Sequence, residues 1–187
     1  VSSPDGFDVY GVHTGSSVLV MIGPETTWGM LEEQGASVVA HEMFHGWLGE
    51  AVEQTDPATL WFTEGATTWY SSRMLVAAGI WEPVYARDHL AGRLERDYAQ
   101  SKLLGHISIA EAASQVMASS DIVRYAYAGG TAACMALVDH LSRASGQRAP
   151  LDLVLRYLYQ TRDDEGFSRA KLEAAILEVT GVESSSW

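Results

Sequence analysis

Residues 38–50 read VVAHEMFHGWLGE, two histidines four apart with a glutamate directly after the first, set in an otherwise apolar run. On an α-helix of 3.6 residues per turn, His41 and His45 are one turn apart and about 40° from each other around the axis, so both imidazoles leave by one face and can grip a single ion. Glu42 follows His41 by about 100°, beside that shared face, where it can reach a molecule resting on the ion without being a ligand. This is the physical content of the His-Glu-x-x-His pattern: two neutral imidazoles hold zinc, and the carboxylate is a general base. Val38, Val39, Met43, Phe44, Trp47 and Leu48 supply an apolar surface to bury. The stretch therefore demands a helix with one side in a core and another opening on a cavity.

Two histidines leave a tetrahedral ion short of a third protein ligand. A glycine three residues past the second histidine, with a further histidine three beyond it, would be one solution, but those positions hold Leu48 and Ala51. Glu50 and Glu53 would project about 140° and 80° away on a continuing helix and read as solvated carboxylates at its end. Asp56, ahead of Pro57, reads as a helix start. Glu64 remains, in LWFTEGATTWYSSRMLVAAG (residues 60–79), whose apolar spacing is helical up to a stop at Gly79. A second helix packed on the first could aim Glu64 at the ion. The residues alone equally allow a surface glutamate in a first helical turn, where its charge suits the dipole.

The two segments together resemble the gluzincin peptidases, in which His-Glu-x-x-His is followed after eighteen residues by a glutamate ligand, commonly within Leu-Trp-x-x-Glu-Gly. Residues 46–63 are eighteen in number, and LWFTEG stands at 60–65. HEMFHGW and LWFTEGATTWY are most similar to the glycyl aminopeptidase family, with the aminopeptidase N family a near relative. The resemblance implies one zinc ion held by His41, His45 and Glu64, with Glu42 as general base. It also implies a thermolysin-like catalytic domain: α+β, mostly α, with a small N-terminal strand pair or sheet remnant and a helical C-terminal lobe. RYAYAGGTAACMALVDHL (124–141) resembles the region carrying a Tyr-x-Lys-Gly motif whose tyrosine stabilises the oxyanion. Matching Gly130 to the motif's glycine makes Tyr127 that tyrosine and leaves Gly129 in place of the lysine. The other reading has Tyr125 or Tyr127 filling a core gap. YGVHTGSS (10–17) resembles a Gly-Leu-Glu-His segment lining the substrate cleft; His13 matches the histidine, while Val12 replaces a glutamate that in relatives can hold the substrate's free amine.

The implied function is zinc-dependent peptide-bond hydrolysis of an aminopeptidase-like kind. The departures at Val12 and Gly129 keep two alternatives open: a peptide-binding scaffold of the same fold, and a hydrolase of a non-peptide bond. The expected partner is a peptide substrate. A formal charge of −12, spread over short acidic patches, argues against nucleic acid and anionic membranes. No apolar run approaches the eighteen residues of a membrane span, and no signal peptide opens the chain. Cys134 is alone, so it forms no internal disulfide and reads as a small buried hydrophobe.

The 187 residues suffice for one catalytic domain. It is expected to comprise a strand-rich substrate edge over 1–30, zinc-binding helices over 31–80 and a helical lobe over 81–187. The resemblance implies further domains in a longer protein, an N-terminal β domain and often a PDZ domain. FDVYGVHTGSSVLVMIG (7–23) has strand-forming residues broken at Gly11 and Gly15. Helical spacing recurs near 31–50, 58–78, 84–102, 108–117, 129–145, 150–161 and 168–180. His89, His106 and His140 match no motif and are expected at the surface or at caps.

Overall fold

Alternating β-formers from Val9 onward give a hairpin in the computed structural model, which describes residues 9–15 and 17–184. Residues 1–8, the start of the strand-rich segment expected over 1–30, lie outside the described residues, as do 185–187 at the end of the expected lobe. Strands β1 (Val9–Thr14) and β2 (Ser17–Ile22) pair antiparallel, Val9 opposite Ile22 and Thr14 opposite Ser17. Gly15 turns the chain at φ +56°. Gly11 does not break the strand as expected; it lies inside β1 opposite Val20, for a reason that appears at the functional site.

The first helical stretch begins with α1 (Trp28–Met30), whose N-cap Thr27 accepts a hydrogen bond from the Met30 amide at 3.3 Å. A π-helical turn, Leu31–Gly35, leads into α2 (Ala36–His45). This helix stops at His45 instead of running to residue 50. Gly46 caps it, and Gly49 at φ +128° folds the chain back so that the Glu50 amide donates to the His45 carbonyl at 3.0 Å. The reversal contains the two-residue strands β3 (Leu48–Gly49) and β4 (Val52–Glu53). Asp56 starts the next element as expected, its carboxylate accepting from the Ala58 amide at 2.9 Å with Pro57 in the first turn.

Helix α3 (Leu60–Ala77) follows, then α4 (Pro83–Leu94) with a π-helical extension Glu95–Ala99, and the short α5 (Ile109–Ala113). Helix α6 (Ser120–Ser145) begins well before the expected position near 129, because Ser119 caps it by accepting from the Ile122 amide at 3.3 Å. Gly129 and Gly130 therefore lie in mid-helix. Helices α7 (Pro150–Gln160) and α8 (Arg169–Thr180) complete the lobe. The fold class is α+β and mostly helical, a two-stranded sheet followed by a helical lobe, as the sequence implies. Among the described residues no helix is long and apolar enough to cross a membrane.

The main core joins α2, α3, α6, α7 and α8 through Phe44, Phe62, Leu141, Leu151, Val154 and Ile176. Each such side chain contributes about 1.5–3 kcal/mol by leaving water. Cys134 is buried in it with its thiol 3.9 Å from the Phe62 carbonyl, and burial pushes its pKa far up, so it is the inert hydrophobe expected.

Helix α3 lies at the centre, with α2 against one side and α6 against another. The second contact is unusually close. A Cβ built on Gly65 would stand 2.2 Å from the carbonyl carbon of Gly130, and one built on Gly130 would stand 2.2 Å from the carbonyl oxygen of Trp61. Only bare backbone fits at this crossing, which sits one residue past Glu64 and three past Tyr127.

Candidate metal centre

Helices α2 and α3 bring three side chains to one point. Nε2 of His41 lies 3.1 Å from Oε2 of Glu64 and 3.1 Å from Nε2 of His45, which in turn lies 3.5 Å from the same Glu64 oxygen. Among the described residues this trio is the one group of His, Cys, Asp and Glu able to hold a metal ion. A tetrahedral ion bound at about 2.0–2.1 Å keeps its ligands about 3.3 Å apart, and the three observed separations straddle that value. Two imidazoles and one carboxylate form a donor set that zinc adopts where a fourth vertex is left for water or substrate. The residues present fit a metal.

Electrostatics agree with the geometry. Burial opposes charge on Glu64, yet hydrogen bonds from His41 and His45 outweigh it and hold its pKa down at about 2. Burial also opposes a proton on His45, but the hydrogen bond and charge of Glu64 prevail and raise its pKa. The site is thus an ionised carboxylate shared by two imidazoles, an arrangement suited to exchanging protons for a cation.

Each imidazole is also held from behind. Nδ1 of His45 donates to the Leu48 carbonyl at 3.0 Å, which turns its Nε2 to the trio, where it offers a lone pair to a cation once its proton has left. That carbonyl is available because α2 ends where it does. Nδ1 of His41 lies 3.4 Å from the hydroxyl oxygen of Thr68, one helical turn past Glu64. The neighbouring Thr67 is fully buried, and among the described residues its hydroxyl has no hydrogen-bond partner.

Glu42 is buried beside the trio, and no described residue hydrogen-bonds its carboxylate. What accommodates it is Gly11 of β1: a Cβ there would lie 2.5 Å from Cγ and 2.9 Å from Oε1 of Glu42. The hairpin backbone therefore rests directly on the carboxylate. A lone glycine inside an alternating strand is the sequence signal for such an approach. Tyr127 reaches the same place from α6, its ring stacked on that of His41 with centroids 6.3 Å apart and planes 14° apart. Burial, then the charge of Glu64, push its pKa well above the ordinary tyrosine value, so the phenol is a proton donor at any physiological pH. Tyr125 is the one that fills the core, donating to the Ile107 carbonyl at 3.1 Å.

The departure at Gly129 is local packing. A Cβ at that position would meet Ile109 at 3.0 Å and the Tyr98 ring at 3.1 Å, so this side of α6 is covered by α5 and the end of α4 and does not face the trio. Among the described residues Glu50 and Glu53 are not part of the group able to hold a metal ion; Glu50 pairs with His13 at 3.4 Å, tying the hairpin to the turn after α2. His89 lies against Trp81 and Tyr85, remote from the trio in the sequence and in a different cluster. A family model described as the peptidase family M1 domain matches residues 5–185. No curated protein matches the chain.

Proposed function

This chain belongs to peptidase family M1, the metallopeptidase family of aminopeptidase N, and from that premise we propose that it hydrolyses peptide bonds with one zinc ion held by His41, His45 and Glu64. The observation that carries this reading is the closed triangle of Nε2, Nε2 and Oε2 atoms at 3.1, 3.1 and 3.5 Å, with an unengaged carboxylate beside it. Zinc in such a site supplies a Lewis acid and lowers the pKa of water to about 7.

The chain's own residues supply the rest. Glu42, which no described residue hydrogen-bonds and which is pressed against Gly11, takes the proton of the attacking water and returns it to the leaving amine. Tyr127 donates its phenolic proton as a hydrogen bond to the oxyanion that develops on the scissile carbonyl. Among the described residues the sheet has two strands, and an extended peptide would add to its edge through main-chain hydrogen bonds. An intact, unengaged Glu42 favours catalysis over a scaffold role, because a structural ion needs no base. The aminopeptidase-like aspect rests on the family alone, since Val12 leaves no carboxylate where relatives hold an amine.

The test is turnover of a mixed peptide library by zinc-loaded protein, with and without chelator. Cleavage that disappears with chelator and returns with zinc is expected; binding without cleavage would favour the scaffold. On a peptide so identified, Tyr127→Phe should lower kcat by about 10²- to 10³-fold with zinc content unchanged, the effect of removing one oxyanion donor. An unchanged kcat would assign Tyr127 to packing.

A further inference from the structure

A carbonyl oxygen only accepts, so the 3.0 Å contact between Nδ1 of His45 and the Leu48 carbonyl is a hydrogen bond only when Nδ1 carries the proton. In a neutral ring that choice leaves the lone pair on Nε2, the atom 3.1 Å from Nε2 of His41 and 3.5 Å from the Glu64 oxygen. The opposite tautomer would set a nitrogen lone pair against those of the carbonyl and put its proton where a cation has to bind. The Thr68 hydroxyl behind His41, at 3.4 Å, can donate or accept and imposes no such choice.

The turn after α2 holds that carbonyl in place. The Leu48 side chain is anchored in the main core, 2 % exposed. The amides of Glu50, Ala51 and Val52 donate to the carbonyls of His45, Gly46 and Trp47 at 3.0, 3.3 and 2.9 Å, so the chain coils back over the helix end. Gly49 is where this coil meets the ligand. Its φ is +128°, an angle open to glycine and strained for a residue with a Cβ. A Cβ built there would also stand 3.2 Å from Nδ1 of His45 and 3.5 Å from its carbonyl oxygen. A side chain would therefore both strain the turn and press on the nitrogen that the preceding carbonyl holds.

We propose that Gly49 is a positioning residue of the metal centre: its bare backbone lets the turn close on His45, and the Leu48 carbonyl so placed fixes the ring in the tautomer and orientation that bind a cation through Nε2. The proposal rests on the metal site described above and is tested by metal binding and not by turnover, so that it and the peptidase reading can fail separately.

Zinc affinity is measured by competition with a chromophoric chelator. Gly49→Ala is expected to weaken it by about 10- to 100-fold, the effect of losing the outer partner of a metal-ligating histidine. Gly79→Ala is the control, because Gly79 also has a positive φ, +69°, but nothing lies within 4 Å of its would-be Cβ. It should lower the thermal midpoint and leave zinc affinity unchanged. Unchanged affinity in Gly49→Ala, or an equal loss in Gly79→Ala, overturns the proposal.

A second readout needs no substitution at Gly49. In zinc-loaded protein with ¹⁵N-labelled histidine, the His45 ring is expected to carry its proton on Nδ1, shielded from exchange with water; in folded Gly49→Ala that shielding is lost. A His45 ring without a proton on Nδ1, or with one that exchanges as freely as that of a surface imidazole, overturns the proposal whatever the variant does. Protein that binds zinc in this way and cleaves no peptide sinks the peptidase reading alone. Peptide cleavage by protein whose zinc affinity is indifferent to Gly49→Ala sinks the role of Gly49 alone.

Discussion

Glu42→Gln is expected to reduce peptide hydrolysis by about 10²- to 10⁴-fold while one zinc ion stays bound per chain, the range over which a positioned general base acts. The reason is the division of labour on α2. His41 and His45 turn their Nε2 atoms to the Glu64 oxygen, whereas Glu42 sits beside them under Gly11 and takes no part in the triangle. Glutamine keeps the size and the contact with the hairpin but cannot accept the proton. Glu64→Ala should show the opposite pattern, because it takes away a ligand: zinc affinity falls, and activity returns in part only at high zinc. Metal analysis after gel filtration, alongside kcat and KM, separates the two. Zinc lost from the Glu42→Gln protein and retained in Glu64→Ala would reverse the assignment of base and ligand.

Gly130→Ala should damage the protein as severely, by a route no contact with the metal ligands suggests. A new Cβ would have to occupy a point 2.2 Å from the Trp61 carbonyl oxygen, and the opposing atoms are backbone, which cannot rotate away. Helices α3 and α6 must separate. Overpacking of this kind costs about 3 kcal/mol, which for a chain of this size lowers the melting temperature by about 6–12 °C. The same separation withdraws Tyr127 from His41, so kcat at a temperature where the variant is folded should fall toward that of Tyr127→Phe. Gly92→Ala is the contrasting case: it is a helix-interior glycine on α4 with nothing within 4 Å of its would-be Cβ. There alanine should stabilise by up to about 1 kcal/mol through helix propensity. Equal melting temperatures for the two alanine variants would remove the close crossing as the device that positions Tyr127.

Local chemistry explains which parts of the fold were readable. The four-residue spacing of His41 and His45, the proline after Asp56 and the eighteen residues before Glu64 are short-range patterns, and each is realised in place. The end of α2 and the start of α6 differ from the spacing-based expectation for a common reason. Glycine can stop a helix or let two helices touch, and its one-letter code carries no sign of which. Gly46 and Gly49 stop α2, whereas Gly129 and Gly130 continue α6 because Tyr98, Ile109 and Trp61 pack against them. The role of Gly11 is signalled by its position within an alternating strand.

By itself the sequence determined the membership in a metallopeptidase family and the identity of the three groups that can bind an ion, because ligand spacing along a helix is a property of the chain's covalent repeat. Only the tertiary structure decided which backbone carbonyl orients His45, what rests on Glu42 and how Tyr127 reaches His41. Those relations join residues far apart in the chain, and they are fixed by how closely α3, α6 and the hairpin backbone can approach, which is a matter of packing in three dimensions.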